Sequence, residues 1–156
     1  MESELARIIV TRADAVEQVD LQPAPMLIHT DGAALGGRLA VMETTLPPRS
    51  DGPPPHLHRD VVEVFHVIDG MLRVHVGSAH VDLTAGGTVA VPTGVPHTYS
   101  NPHDVPVRLL IVVSSDVIPR LFRQLQQLSR DASGNADPTE IEALMAAHDS
   151  FPPELA

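Results

Sequence analysis

Short runs of β-branched and apolar residues, separated by turn residues, most constrain the fold of this chain. Gly, Pro, Asp and Asn fill the gaps between the runs from residue 8 to residue 114. Such spacing predicts β-strands, and no segment before residue 115 repeats apolar residues at helical spacing. The predicted strands are residues 8–10, 26–28, 38–46, 61–68, 72–76, 81–83, 88–91 and 107–113. We therefore expect an all-β barrel or sandwich.

The pattern changes after residue 115. Apolar residues recur at helical spacing over 121–128 and again over 141–148. Between them, residues 137–140 read Asp-Pro-Thr-Glu, which is typical of a helix start with Asp as N-cap and Pro at the first helical position. Two such short helices cannot form a core of their own. We predict a β-barrel domain over 1–115 and an amphipathic helical tail over 116–156, packed on the barrel or at a dimer contact.

Histidine is frequent in an acidic chain that lacks cysteine. There are nine His, three Phe, one Tyr and no Trp, and the net charge is −10. This charge argues against binding nucleic acid or anionic membranes, and the lack of cysteine excludes disulfides, thiolate zinc sites and Fe–S clusters. The acidic start lacks the apolar segment of a signal peptide, and the longest apolar run, 109–113, is too short to span a membrane. We expect a cytoplasmic protein.

The histidines at positions 56 and 58 suggest a metal site. Residues at i and i+2 share one face of a strand, so both imidazoles can converge on one point. Glu63 follows His58 at an odd offset, which would place it on the opposite face of an unbroken strand. A bend at Arg59 and Asp60 is therefore required if Glu63 is to join His56 and His58.

Two segments resemble the motifs of the cupin superfamily. Residues 52–70 contain H-x-H-x4-E-x6-G, and residues 86–101 fill every fixed position of G-x5-P-x-G-x2-H-x3-N. One departure is that Gly52 stands closer to the first histidine than the family spacing. The resemblance implies a double-stranded β-helix barrel, similar to a jelly roll, with a single divalent metal inside. The implied metal ligands are His56, His58, Glu63 and His97.

The chemistry of this ligand set agrees with a transition metal. Three neutral imidazoles and one carboxylate suit Fe, Mn, Ni, Co, Cu or Zn in the divalent state. One carboxylate against a divalent cation leaves a net charge of about +1, which can accept an anionic oxygen from a substrate. A metal that takes five or six ligands also keeps positions open for substrate, water or O2. The alternative is a metal that only stabilises the barrel.

Strand periodicity predicts which other side chains face the metal. Phe65 shares the parity of Glu63, Tyr99 shares the parity of His97, and His66 should point outward. The alternative for the two aromatic residues is the barrel core. Apolar residues of other strands and one cation complete the candidate pocket. The predicted substrate pocket consists of Phe65, Tyr99, Met42, Val91 and Arg38.

The first motif is most similar to that of bacterial quercetinase-type single-domain cupins. This resemblance implies metal-dependent dioxygenation of a flavonol-like or other enolisable aromatic substrate. Glu63 would act as general base, and Tyr99 would orient the substrate. One rival is a non-oxidative isomerase, cyclase or lyase on the same metal, and another is a non-catalytic ligand-binding or metal-binding protein. The expected partners are a small-molecule substrate, O2 if the enzyme is a dioxygenase, and a second copy of the chain in a homodimer.

Overall fold

A computed structural model describes residues 8–155, which form two antiparallel β-sheets and two α-helices. The acidic start, for which no signal peptide is predicted, lies outside these residues. The strands are β1 (Glu17–Val19), β2 (Met26–Thr30), β3 (Ala40–Leu46), β4 (Ser50–Asp51), β5 (Glu63–Asp69), β6 (Met71–Val76), β7 (Ala79–Thr84), β8 (Thr88–Val91), β9 (His97–Asn101) and β10 (Val107–Val113). The helices are α1 (Val117–Asp131) and α2 (Pro138–Ala146).

The two sheets face each other and enclose one core. One sheet has the order β1-β2-β3-β10-β5-β8, and the other has the order β4-β9-β6-β7. Buried and more exposed residues alternate along β5, β9 and β10, because successive side chains of a strand point to opposite faces. The mostly β architecture with a helical C-terminal part confirms the predicted fold class.

Parity along β5 and β9 is as predicted. Glu63, Phe65 and Val67 are buried on the inner face of β5. His66 points the other way, where its Nδ1 atom lies 2.8 Å from the hydroxyl of Thr88. The inner face of β5 therefore carries the core residues Phe65 and Val67, and Glu63 lies on the same face at the start of the strand.

The N-terminal strand prediction is wrong. Residues 8–10 are apolar, but they form no strand and all three are exposed. The edge of the sheet is instead occupied by β1, which pairs with β2 through Glu17 opposite Ile28. A strand needs a partner for its backbone, and β1 takes the free edge of β2 although its sequence is mostly polar.

The proline-rich segment 47–55 is part of the β-sheet structure rather than a linker. Its short strand β4 pairs with β9. The pairing brings this segment beside the strand that carries His97.

The two helices pack against each other, and α1 also packs against β1. The predicted start of α2 is confirmed, because the side chain of Asp137 accepts a hydrogen bond from the backbone N–H of Thr139 at 2.8 Å. Arg123 of α1 pairs with Glu17 and Asp31, which attaches the helix to the β1–β2 edge. A domain boundary at residue 115 stays a prediction. Neither helix is long and apolar enough to cross a membrane, and none is found elsewhere in residues 8–155.

Candidate metal centre

Backbone pairing brings the H-x-H segment against β9. His56 and His97 form an antiparallel bridge in which each backbone N–H donates to the other carbonyl, at 3.0 and 2.8 Å. The chain then bends at Arg59 and Asp60, as predicted, and Glu63 begins β5 beyond the bend. Because of the bend, Glu63 lies on the same side of the chain as the histidines despite its odd sequence offset, and its carboxylate points toward them.

Four buried side chains converge as a result. Each of them offers one ligand atom, and all four atoms lie within 4.8 Å of one another. Glu63 Oε2 lies 3.0 Å from His97 Nε2 and 3.4 Å from His58 Nε2. We call this group the floor. The floor consists of His56, His58, Glu63 and His97.

The orientation of each imidazole is fixed by a backbone carbonyl. The Nδ1 atoms lie 2.8 Å from the carbonyl of Pro54 for His56, 2.7 Å from that of Asp149 for His58, and 2.8 Å from that of Val95 for His97. A carbonyl oxygen can only accept, so each Nδ1 carries the hydrogen. Each Nε2 therefore presents a lone pair to the floor, which is the arrangement of metal-binding histidines.

The donor set fits a metal cation. The Nε2 atom of His58 is buried and has no hydrogen-bond partner among the described residues. A lone pair on His97 Nε2 also faces the Glu63 carboxylate, and two such atoms repel unless a cation or a proton lies between them. Separations of 3.0 and 3.4 Å match those of neighbouring ligands about 2.1 Å from a common ion. The four residues can hold one divalent metal ion.

Contacts within the floor shift pKa values in both directions. Burial and the nearby His97 lower the pKa of His56 to about 4. Burial also lowers the pKa of His58, but the contact with Glu63 outweighs it and the pKa is raised. For Glu63, burial raises the pKa, yet its contacts with His58 and His97 outweigh this effect and lower it to about 2. So low a pKa favours Glu63 as an anionic ligand over Glu63 as a general base.

A cavity of about 220 Å³ opens above the floor. Part of its lining comes from the barrel, including Met26, Leu46 and Ile111. The rest comes from apolar side chains of both helices, a role that the sequence analysis does not assign to the tail. We call this helical lining the wall. The wall consists of Ile118, Leu121, Phe122, Leu125, Ile141 and Met145.

Tyr99 is the predicted pocket residue that lines this cavity. Burial, together with the charge of Glu63, raises the pKa of Tyr99, so its hydroxyl is neutral. No partner for this hydroxyl is found among residues 8–155, which leaves it free to donate to a ligand. The Phe65 ring packs edge-on against the Tyr99 ring at 5.1 Å between centroids.

The other four predicted pocket residues do not line the cavity. Met42, Phe65 and Val91 are buried in the hydrophobic core. Arg38 is exposed to solvent. Parity correctly placed Phe65 inside the barrel, where Met42 and Val91 also lie, but the cavity occupies only the end of the barrel that the helices cover.

Gly52 permits the close approach between its loop and Tyr99. Its backbone N–H donates to the carbonyl of Tyr99 at 3.0 Å. A Cβ atom at this position would clash with that carbonyl oxygen and lie 2.8 Å from the ring. The closer spacing of Gly52 to His56 thus produces a turn that packs on the cavity tyrosine.

Residues 42–113 match the protein family described as Cupin domain. The match contains all four residues of the floor and ends before α1. No curated protein sequence matches the chain.

Solved structures with a similar fold include three enzymes. A sugar phosphate isomerase from Silicibacter pomeroyi is 22% identical, with 68% of this chain and 75% of that chain covered and a TM-score of 0.58. The polyketide cyclase RemF from Streptomyces resistomycificus is 17% identical, with 68% and 78% covered and a TM-score of 0.59. Oxalate decarboxylase from Bacillus subtilis is 21% identical, with 64% and 28% covered and a TM-score of 0.55. At these identities the likeness shows the fold alone.

Proposed function

We propose that this chain, whose residues 42–113 match the cupin domain family, is a mononuclear metal-dependent dioxygenase for a small enolisable aromatic substrate. The observation that carries the proposal is the position of the floor. The imidazoles of His56 and His58 and the carboxylate of Glu63 line the polar end of a cavity whose wall is apolar, and His97 completes the ligand set. A substrate can therefore bind the metal through one oxygen while its apolar body contacts the helices.

The charge distribution limits the class of substrate. Among the cavity-lining residues, all within the described chain, there is no lysine or arginine. A negative charge on the substrate would be neutralised mainly at the metal, which supports one enolate or phenolate oxygen rather than a phosphate or a dicarboxylate. The volume of about 220 Å³ is below the roughly 300–1,000 Å³ of typical drug-sized ligand sites. The site therefore favours a compact ring system.

Two residues of the chain have roles in this reaction. The neutral hydroxyl of Tyr99 donates a hydrogen bond to a substrate oxygen, because it lines the cavity without a protein partner. Glu63 supplies the negative charge of the ligand set. The metal supplies Lewis acidity that favours the ionised substrate oxygen. In the overall reaction O2 is the oxidant, and both of its atoms enter the substrate.

A second candidate function uses the same site without O2. An apolar cavity above a Lewis-acid metal also suits an aromatic cyclisation or an isomerisation. A polyketide cyclase is among the proteins of similar structure, which supports this candidate at the level of the fold. The two candidates differ in one measurable quantity, the consumption of O2.

The test is elemental analysis of the purified protein, followed by aerobic and anaerobic assays on flavonols and smaller enolisable phenols. The dioxygenase predicts about one metal ion per chain and one O2 consumed per substrate. Turnover that continues without O2 would establish the cyclase or isomerase instead. Binding of the same compounds without turnover, in the metal-loaded protein, would overturn enzymatic function and leave a binding protein.

A further inference from the structure

The floor is supported by residues near the C-terminus, outside the matched domain. We infer that Asp149 is a positioning residue that holds His58 and the bend before Glu63 in the metal-binding arrangement. The inference rests on the metal binding of the proposed function but not on the reaction. It makes residues 149–151 a part of the metal centre.

The carboxylate of Asp149 closes the bend. Its Oδ1 atom accepts from the backbone N–H of Arg59 at 2.9 Å, and its Oδ2 atom accepts from those of Asp60 and Val61, both at 2.9 Å. The backbone N–H groups of residues 59–61 belong to no strand or helix, so no regular secondary structure supplies their acceptors. An ionised carboxylate satisfies all three with charge-assisted hydrogen bonds.

The backbone of Asp149 also holds a metal ligand. Its carbonyl accepts from His58 Nδ1 at 2.7 Å. The corresponding carbonyls for His56 and His97 lie two residues before each histidine. Of the three imidazoles, that of His58 is oriented by a segment 91 residues away in the sequence. Asp149 makes both contacts from a left-handed backbone conformation, with φ of 57°.

The neighbouring residues keep Asp149 in place. Phe151 forms an antiparallel bridge with Leu57, and the two backbone hydrogen bonds measure 2.8 and 2.9 Å. The guanidinium of Arg59 stacks over the Phe151 ring at 4.0 Å. Ser150 is buried and lines the cavity. A shift of this segment therefore moves the backbone on both sides of His58.

The test compares Asp149→Gly, Asp149→Asn and wild-type protein for Co2+ affinity, by competition with a chelator, and for the Co2+ absorption spectrum. Glycine keeps the left-handed conformation without strain and removes only the carboxylate. We expect a 10- to 100-fold loss of Co2+ affinity and an altered spectrum, as for other partners of metal-binding histidines. Asparagine keeps one acceptor oxygen and should show a smaller loss.

Asp137→Ala is the matched control, because it removes the cap of α2 in the same tail without touching the bend. Its Co2+ affinity should equal that of wild type. A second readout is the tautomer of His58 in the metal-free protein, measured by nitrogen NMR. Wild type should hold the hydrogen on Nδ1, and Asp149→Gly should weaken this preference, because the carbonyl that accepts from Nδ1 then belongs to a segment without its contacts to the bend.

Several outcomes would overturn the inference. If Asp149→Gly binds Co2+ as tightly as wild type, the carboxylate does not position the ligands. If Asp137→Ala weakens binding equally, Asp149 acts only through the stability of the tail. Both results leave the proposed function intact. Wild-type protein that binds no Co2+, Zn2+, Fe2+ or Mn2+ would overturn the proposed function together with this inference.

Discussion

The floor and the wall of the cavity are held in different ways. The histidines of the floor are buried, and backbone carbonyls fix their rings while the bridge between His56 and His97 fixes their spacing. The helices of the wall line the cavity with apolar side chains, and ion pairs such as Arg123 with Glu17 attach α1 to the barrel at partly exposed positions.

This difference separates two properties of the site. Directional hydrogen bonds set the positions of the metal ligands within narrow limits. Apolar contacts have no preferred direction, so the wall can change in shape at small cost. We therefore expect the floor to control metal binding and the wall to control the choice of substrate.

Loss of a floor histidine should have the largest effect. His97→Ala removes one of the four ligand atoms and should weaken Co2+ binding by more than about 100-fold, since loss of a mere partner of a ligand costs 10- to 100-fold. His66→Ala, on the outer face of β5, is the matched control and should leave the affinity unchanged. Chelator competition measures both variants. Equal Co2+ affinity of His97→Ala and wild type would contradict a floor that binds metal.

Acid should destabilise the metal-free floor. The pKa of His56 falls from 6.5 to about 4 on folding, so its contribution to stability is fully present above pH 6.5 and is lost as the pH falls through 4. This shift corresponds to about 3 kcal/mol. Glu63, with a pKa lowered to about 2, adds a further loss below pH 4.5. The raised pKa of His58 acts in the opposite direction, because its contribution is present below pH 6.5 and lost as the pH rises.

Urea unfolding of the metal-free protein at pH 4 to 7 measures this dependence. His56→Asn should flatten the slope of unfolding free energy against pH between 6.5 and 4. His80→Asn, at an exposed position of the edge strand β7, is the matched control and should keep the wild-type slope. A slope that is the same with and without His56 would contradict the assignment.

A smaller effect is expected from the wall. Leu125→Ala removes apolar surface from the cavity and should weaken binding of the best substrate in the panel by roughly 5- to 30-fold, or about 1–2 kcal/mol. Its Co2+ affinity should not change. Leu128→Ala, on the same helix but outside the cavity lining, is the control. If Leu125→Ala changes metal affinity but not substrate affinity, the division between floor and wall fails.

The ion pairs that attach α1 should contribute least. Arg123→Ala removes the contacts with Glu17 and Asp31, yet solvent screens these partly exposed charges, so the free energy of unfolding should fall by at most about 1 kcal/mol. Gln124→Ala, next along the exposed surface, should have no effect. Thermal unfolding measures both variants. A loss of several kcal/mol would show that directional contacts hold the wall as firmly as the floor.

The residues of the floor could be predicted from the sequence because their spacing carries the chemistry. Side-chain parity joins His56 with His58, and the odd offset of Glu63 requires the bend that the structure contains. The family resemblance added His97. The helices also followed from local patterns, since Asp137 and Pro138 mark the start of α2.

Long-range geometry could not be predicted in the same way. Parity places Phe65 inside the barrel but not at a given depth, and it lies in the core rather than beside the cavity. The apolar face of α1 indicates burial without naming the surface that it covers. Asp149 has no local pattern at all, because its partners lie about 90 residues earlier in the chain.

The bridge between His56 and His97 also bears on the order of events in folding. The two residues meet only after β9 has closed against the segment before β5, which is a contact between distant parts of the chain and slow to form. An ion that needs all four side chains binds after this closure. We expect such an ion to prolong the lifetime of the native state by slowing unfolding, while the rate of folding stays the same.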